Sequence, residues 1–481
     1  MAFTNEEEAK VRQIISAFEN GKRLTDLPEA QGTNPFKLIT EVLDEDGESK
    51  KAALATMLPY AEEQCAYGIE FDTTISTPTC TRVGNSDLHK SLPIQSRMRG
   101  CLLDDNGKVV EYLNPTSWVE HDRTGARGQV MVEIPSHYER FITDGTKRRV
   151  MLSEYPIPGF QFIPTMYVSA YEAALQRSTS KLCSVVNDSA DYRGGDNNAA
   201  WDGTYRSLLG RPATNITRSN FRKYARNRNA AASAEWNCYT YLVHKTITWL
   251  FVVEYATLNS QADYNAELTA EGFRQGGLGA GVGSFPNLDT YNGQNPIIPC
   301  GFTDSIGNGT GIMDYTALDE NGEVCSVQSV PRYRGIEHPF GHTTKFTDGC
   351  IFEVNPTEKN GGNGLHKAYI CNDPALFNDA NYDGYQFIGN MPITGSWIKE
   401  IVFGEGGEIL PKTLNGGSTI YFCDKYYYKT NITSVQLAIL SVGGDTYFGE
   451  GNGLFCSASS DVASFKFAAG GSRLCFIPKT E

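Results

Sequence analysis

The feature that most restricts what this chain can become is the placement of its glycine: 33 of 48 glycines fall after residue 259. Hydrophobic periodicity nearly disappears over the same stretch, so turn-rich loops are expected to dominate there. Short strands remain visible at Lys399 to Phe403, Ser418 to Cys423 and Arg473 to Ile477. Just ahead of this region the pattern is helical. Thr217 can cap a helix carrying Phe221, Tyr224 and Ala225. A longer helix is expected to follow, with Trp236, Tyr239, Val243, Ile247, Leu250 and Glu254 on one side. That second segment is apolar on most sides, which predicts burial at the centre of its domain.

The remainder divides into two further regions. Residues 1–66 are read as a helical attachment or oligomerisation arm. Thr4 and Glu7 make a capping box, and Val11, Ile14, Ile15 and Phe18 form a helical stripe. A second helix is expected from Lys50 to Leu58, behind the turn Asp44-Glu45-Asp46-Gly47. Two short amphipathic helices make no core alone, so their stripes need a partner, in the rest of this chain or outside it. Residues 67–160 are expected to form a small β-rich domain and linker. Asn106-Gly107 tips a hairpin between apolar arms, Gln129 to Ile134 alternates as a strand, and prolines 156, 158 and 164 stiffen the exit. Residues 161–481 form the largest unit, and the fold class is α+β.

Charge and motifs narrow the chemistry. With 42 basic and 56 acidic residues the chain carries −14, a balance that repels polyphosphate and anionic lipid, so nucleic acid and membrane insertion are disfavoured. At 40% hydrophobic residues the chain can support a core. Twelve cysteines without a CxxC pair, in a chain too long to need stapling, read as reduced small hydrophobes made in a reducing cytoplasm. Gly276-Gly277-Leu278-Gly279-Ala280-Gly281-Val282-Gly283 matches neither the dinucleotide fingerprint nor the phosphate-binding loop. His338 and His342 lie four apart, but Pro339 and Gly341 break the helix a zinc pair would need. Asp379, Asn381 and Asp383, followed by Gly384, reproduce the first half of a calcium loop; an Asx-rich turn uses the same residues. No nucleophile elbow occurs, and no catalytic residue is assigned.

One constellation rises above this background. The chain closes with Gly443-Gly444-Asp445-Thr446-Tyr447-Phe448-Gly449, then Gly453-Leu454-Phe455, then Gly471-Ser472-Arg473-Leu474-Cys475-Phe476. This resembles the end of phage receptor-binding proteins diversified by retroelements, which have a C-type lectin-like fold. Pro212 to Thr217 and Ala234-Glu235-Trp236 are similar to segments of the related formylglycine-generating-enzyme superfamily. In that superfamily's core strand Phe340 and Phe346 stand where tryptophans are usual, and its catalytic cysteine pair has no clear counterpart. Asn20 to Pro28 and Leu92 to Leu103 look like virion fibre proteins of crAss-like phages of Bacteroides.

The resemblance implies a non-enzymatic virion protein, synthesised in the bacterial host cytoplasm. It implies a homotrimeric head fibre, attached to the capsid or other virion proteins through its amino-terminal helices. The expected ligand is a glycan or protein of a host or mucosal surface. A tail receptor-binding protein or a particle-borne polysaccharide-degrading enzyme are the alternatives. No cofactor is implied beyond the calcium loop. The candidate display loop comprises Asp445, Tyr447, Phe448, Glu450, Asn452, Phe455, Phe465 and Lys466, because aromatics interleaved with Asp, Asn and Ser suit adaptable contacts and sugar platforms. About half its aromatics are expected to fill the core beneath. In the run Tyr426-Tyr427-Tyr428, a strand would turn at least one ring outward.

Overall fold

The apolar segment after Thr240 sets the centre of the molecule. In the computed structural model, Thr240 caps the helix Tyr241–Tyr255 by accepting a hydrogen bond from Val243 N, and Ala256 ends it in the left-handed conformation. Fourteen of its fifteen residues are buried, as the unbroken apolar surface requires. Trp249 meets the rings of Phe141, Phe403 and Phe455, each 5.7–5.9 Å away between centroids. Each such fully buried side chain contributes about 1.5–3 kcal/mol. The helix begins later than its stripe implied. Trp236 lies on the short strand Trp236–Cys238 and Tyr239 precedes the cap, because backbone pairing with Leu474–Phe476 claims that stretch.

The structure describes residues 39–43, 49–53, 62–282, 297–355, 364–429 and 432–479. It is mostly β, with 36% of residues in strands and 13% helical. A six-stranded sheet runs in the order Trp236–Cys238, Leu474–Phe476, Met166–Ser169, Gln129–Ile134, Arg99–Leu103 and Val109–Tyr112. Strands from both sides of residue 160 therefore share one sheet, and the main core extends from Tyr67 to Cys475. A five-stranded antiparallel sheet built on Ala66–Asp72, His137–Asp144 and Lys147–Ser153 packs beside the central helix. The largest sheet has nine strands, is nearly closed, and has Thr344–Val354 and Gln436–Val442 as neighbours. Among the described residues no helix is long and apolar enough to cross a membrane.

Several local expectations are met. The Thr217-capped helix is Arg218–Arg226. The hairpin pairs Arg99–Leu103 with Val109–Tyr112, and Gln129–Ile134 is a strand, buried on both faces. All twelve cysteines are unpaired and ten are buried. Phe340 and Phe346 are fully buried.

Two expectations are corrected. Lys50 to Ala53 belong to the strand Ser49–Ala53, antiparallel to Ile39–Leu43 with Ile39 opposite Ala53. Alanine and lysine are good helix formers, but propensity yields here to backbone pairing with Ile39–Leu43, and the Asp46-Gly47 dipeptide between the two segments suits a hairpin. Ser418 to Cys423 form a turn rather than a strand: Tyr421 and Cys423 both have positive φ, and a lone bridge joins Gly417 to Ile420. The capping box at Thr4 and the stripe Val11 to Phe18 lie outside the described residues.

Polar groups inside this core are organised into pairs. Glu172 holds Lys345 at 2.8 Å and His342 at 2.6 Å, and all three are buried. Burial alone would raise the Glu172 carboxyl, but Lys345 and His342 together hold it well below the usual range. Buried His137 likewise meets Glu139 at 3.1 Å, whereas among the described residues the buried imidazoles of His89, His244, His338 and His366 have no carboxylate partner. Burial holds His89 and His366 down to about 4, His244 to about 3, and His338 well below the ordinary value.

The unfolded chain takes up these protons near pH ~6.5 while the folded chain does not. Stability is therefore present above that pH and is lost as pH falls toward about 4, by about 1.4 kcal/mol per pH unit for each imidazole. Glu337, pushed up to about 7 by burial and by Asp304, and Asp424, pushed up by burial, oppose this with one proton each, fewer than the four imidazoles. The urea midpoint should fall between about pH 7 and pH 5, ahead of the ordinary carboxylate range. An unchanged midpoint would contradict the assignment.

Candidate ligand-binding face

The display loop leaves the strand Gln436–Val442 through Gly443 and Gly444, both with positive φ. A Cβ on Gly444 would stand 1.9 Å from Asn452 Oδ1, so only glycine lets the chain pass there. Asn452 Nδ2 donates to Asp445 O at 2.8 Å and thereby closes the loop on itself. Asp445 accepts from Thr344 Oγ1 at 2.9 Å and from Tyr447 N at 2.9 Å. Asp445 and Asn452, two of the residues expected to display contacts, are buried and hold the loop's shape.

What this frame presents is aromatic. Tyr447 is 86% exposed, the most exposed large hydrophobic side chain among the described residues. Phe448 next to it stacks on Tyr427, with centroids 3.9 Å apart and planes 21° off parallel. Tyr447 meets Phe448 edge-on at 5.9 Å. Glu450 is exposed on the short turn Gly449–Gly451, anchored where Gln261 Nε2 donates to Glu450 O at 2.9 Å. Phe455 points the other way, into the core against Phe422 and Trp249. Phe465 is half-buried and stacks on Phe467 at 5.5 Å, and Lys466 between them is exposed. Of the loop aromatics Tyr447, Phe448, Phe455, Phe465 and Phe467, only Phe455 is buried, fewer than the half expected.

The strand Lys425–Tyr427 joins these pieces. Tyr426 turns inward to Ser459 and His366, whereas Lys425, Tyr427 and Lys429 alternate outward. Each outward side chain sits on a ring from another part of the chain. Lys425 Nζ lies 4.7 Å over Trp397, Tyr427 stacks on Phe448, and Lys429 Nζ lies 4.1 Å over Phe465. Trp397 is directly opposite Lys425 on the neighbouring strand Ser396–Phe403, and Lys399 two residues on lies 5.4 Å over Tyr421. Burial pushes the Tyr427 hydroxyl up, so it stays protonated and able to donate.

The face can thus offer ring faces for stacking and ammonium groups for hydrogen bonds, on a floor fixed by strand pairing. Contacts of these kinds are worth about 0.5–1.5 kcal/mol each. Trp397, Lys425 and Lys429 were not anticipated. The alternation Lys425-Tyr426-Tyr427-Tyr428-Lys429 could have marked the lysines, but only the cross-strand register brings in Trp397.

The calcium-loop residues are placed differently. Asp379 Oδ1 is held by Arg218 and Arg222, Asn381 Oδ1 accepts from Asp383 N at 3.1 Å, and Asp383 is exposed. These contacts build the Asx turn, and the one partly buried carboxylate is already neutralised by two guanidinium groups. Among the described residues no three His, Cys, Asp or Glu side chains are grouped to hold a metal ion. His338 and His342 stack at 4.3 Å inside the protein, with His342 committed to Glu172. No protein-family model matches this chain, and no curated protein matches it in sequence.

Proposed function

We propose that the protein is a virion fibre subunit that adheres to a surface ligand through the Tyr427–Phe448–Tyr447 ledge. The observation that carries this is Tyr447: a tyrosine 86% exposed beside a stacked aromatic pair, on a loop braced by buried Asp445 and Asn452. A rigid scaffold presenting exposed rings spends little ordering entropy on binding. The C-type lectin-like fold of residues 161–481, the homotrimer and the head-fibre placement come from the resemblance of the closing motifs and of Leu92 to Leu103. Multivalent display would compensate for a weak single site.

Tyr447→Ala is the test. The side chain is solvent-exposed and the loop bond uses only its backbone N–H, so stability should change by less than about 0.5 kcal/mol. Binding of the full chain to whole host cells should weaken by about tenfold, the loss of a moderate aromatic contact. Undiminished binding would remove the ledge from the site. Imaging of the particle would locate the protein on head or tail.

A further inference from the structure

We infer that the ligand of this face is an acidic polysaccharide, an extended sugar chain carrying carboxylates; this rests on the adhesion reading above. The ring faces of Trp397, Tyr427, Phe448 and Tyr447 alone would suit any pyranose. The cations between them decide the class. Lys399, Lys425 and Lys429 each lie over a ring, and Lys466, next to Phe465 in sequence, is exposed. Lys429 is paired with Asp461, but among the described residues Lys399, Lys425 and Lys466 have no carboxylate partner. The opposing charges are Asp461, already paired with Lys429, and Glu450, exposed on the 443–453 loop. An excess of lysine gathered on one aromatic face is unexpected in a chain of net charge −14, and its complement is an anion.

The spacing and the kind of cation narrow the anion. Lys425 opens the strand Lys425–Tyr427 and Lys429 follows it by two residues, a separation of at most about 13 Å, which suits separated charges along an extended chain. Every cation named here is lysine, with no arginine fork for bidentate phosphate recognition. Carboxylates borne along a sugar chain, with apolar ring faces beside them, match ammonium groups separated by aromatic planes.

The test uses the full chain and four probes: polygalacturonate, its methyl ester, neutral dextran and an oligothymidylate. Polygalacturonate should bind, and its methyl ester, which keeps the backbone and loses the charge, should bind at least about tenfold more weakly. Added salt should weaken the acidic complex. Lys425→Ala with Lys466→Ala should reproduce the loss, whereas Lys223→Ala, an exposed lysine on the Arg218–Arg226 helix, should not. Equal binding of ester and acid, tighter binding of the oligothymidylate, or an equal loss at Lys223 would each overturn the assignment. Whole-cell binding that persists while polygalacturonate fails would overturn the acidic class and leave adhesion standing. Failure on cells and on all four probes would overturn both.

Discussion

Asp348→Asn should lower the unfolding free energy by about 3–5 kcal/mol, the cost of stranding buried cations. Asp348 is fully buried on the strand Thr344–Val354. Arg218 and Arg222 are four residues apart on one helix and therefore share a face. Arg218 reaches both Asp348 and Asp379, and Arg222 donates through Nη2 to the same two carboxylates at 3.0 Å each. Burial would raise the Asp348 carboxyl, yet the two guanidinium groups hold it below its ordinary value. With asparagine there, two guanidinium groups retain only Asp379, which is partly exposed.

Asp379→Asn should cost less, because water screens that carboxylate and Asp348 remains. Calcium and a chelator should leave the melting temperature of both proteins unchanged. A calcium-dependent rise in the wild type would reassign Asp379 from ion pair to metal ligand. A cost below about 1 kcal/mol for Asp348→Asn would show that the buried pair is not what docks this helix on the sheet.

The elements legible beforehand were those whose signal is local. Thr217 and its stripe, the Asn106-Gly107 tip and the strand Gln129–Ile134 each carry their own pattern within a few residues. So does the apolar helix, although its start was displaced because Trp236 is claimed by a strand some 240 residues later in the chain. Lys50 to Ala53 failed for the same reason: a local helix propensity was overridden by pairing with Ile39–Leu43. On the ledge, Tyr447 and Phe448 were readable as aromatics between glycines. Whether a loop carboxylate faces solvent or braces the loop was not readable, because Asp445 is decided by Thr344, a hundred residues away in sequence. Trp397 reaches the face only through its register with Lys425. Non-local pairing, not composition, assembles the face.

Gly453→Ala should be as costly as the loss of Asp348, and for a reason that concerns the ledge directly. Gly453 has φ +142°, and a Cβ there would stand 2.1 Å from Asp424 Oδ1. Asp424 cannot retreat: it is fully buried, and its Oδ2 accepts from Phe455 N at 2.8 Å. Burial pushes the Asp424 carboxyl well above the ordinary range, so this corner already carries a desolvated acid. Backbone strain and overpacking each cost about 1–3 kcal/mol, so the variant should lose about 2–5 kcal/mol.

Gly145→Ala is the control, since it too has positive φ but nothing lies within 4 Å of its Cβ; it should cost only about 1 kcal/mol. The two losses are separable by urea unfolding. Adding Asp424→Ala to Gly453→Ala should recover part of the stability by removing the clashing oxygen, a coupling that independent sites would not show. Because Gly453 lies between the brace at Asn452 and the core residues Leu454 and Phe455, the loop must shift to admit the methyl group. Cell binding should therefore fall with Gly453→Ala even where the protein stays folded. If the variant binds as well as wild type while its stability drops, the shape of the 443–453 loop is not what positions Tyr447 and Phe448 for contact.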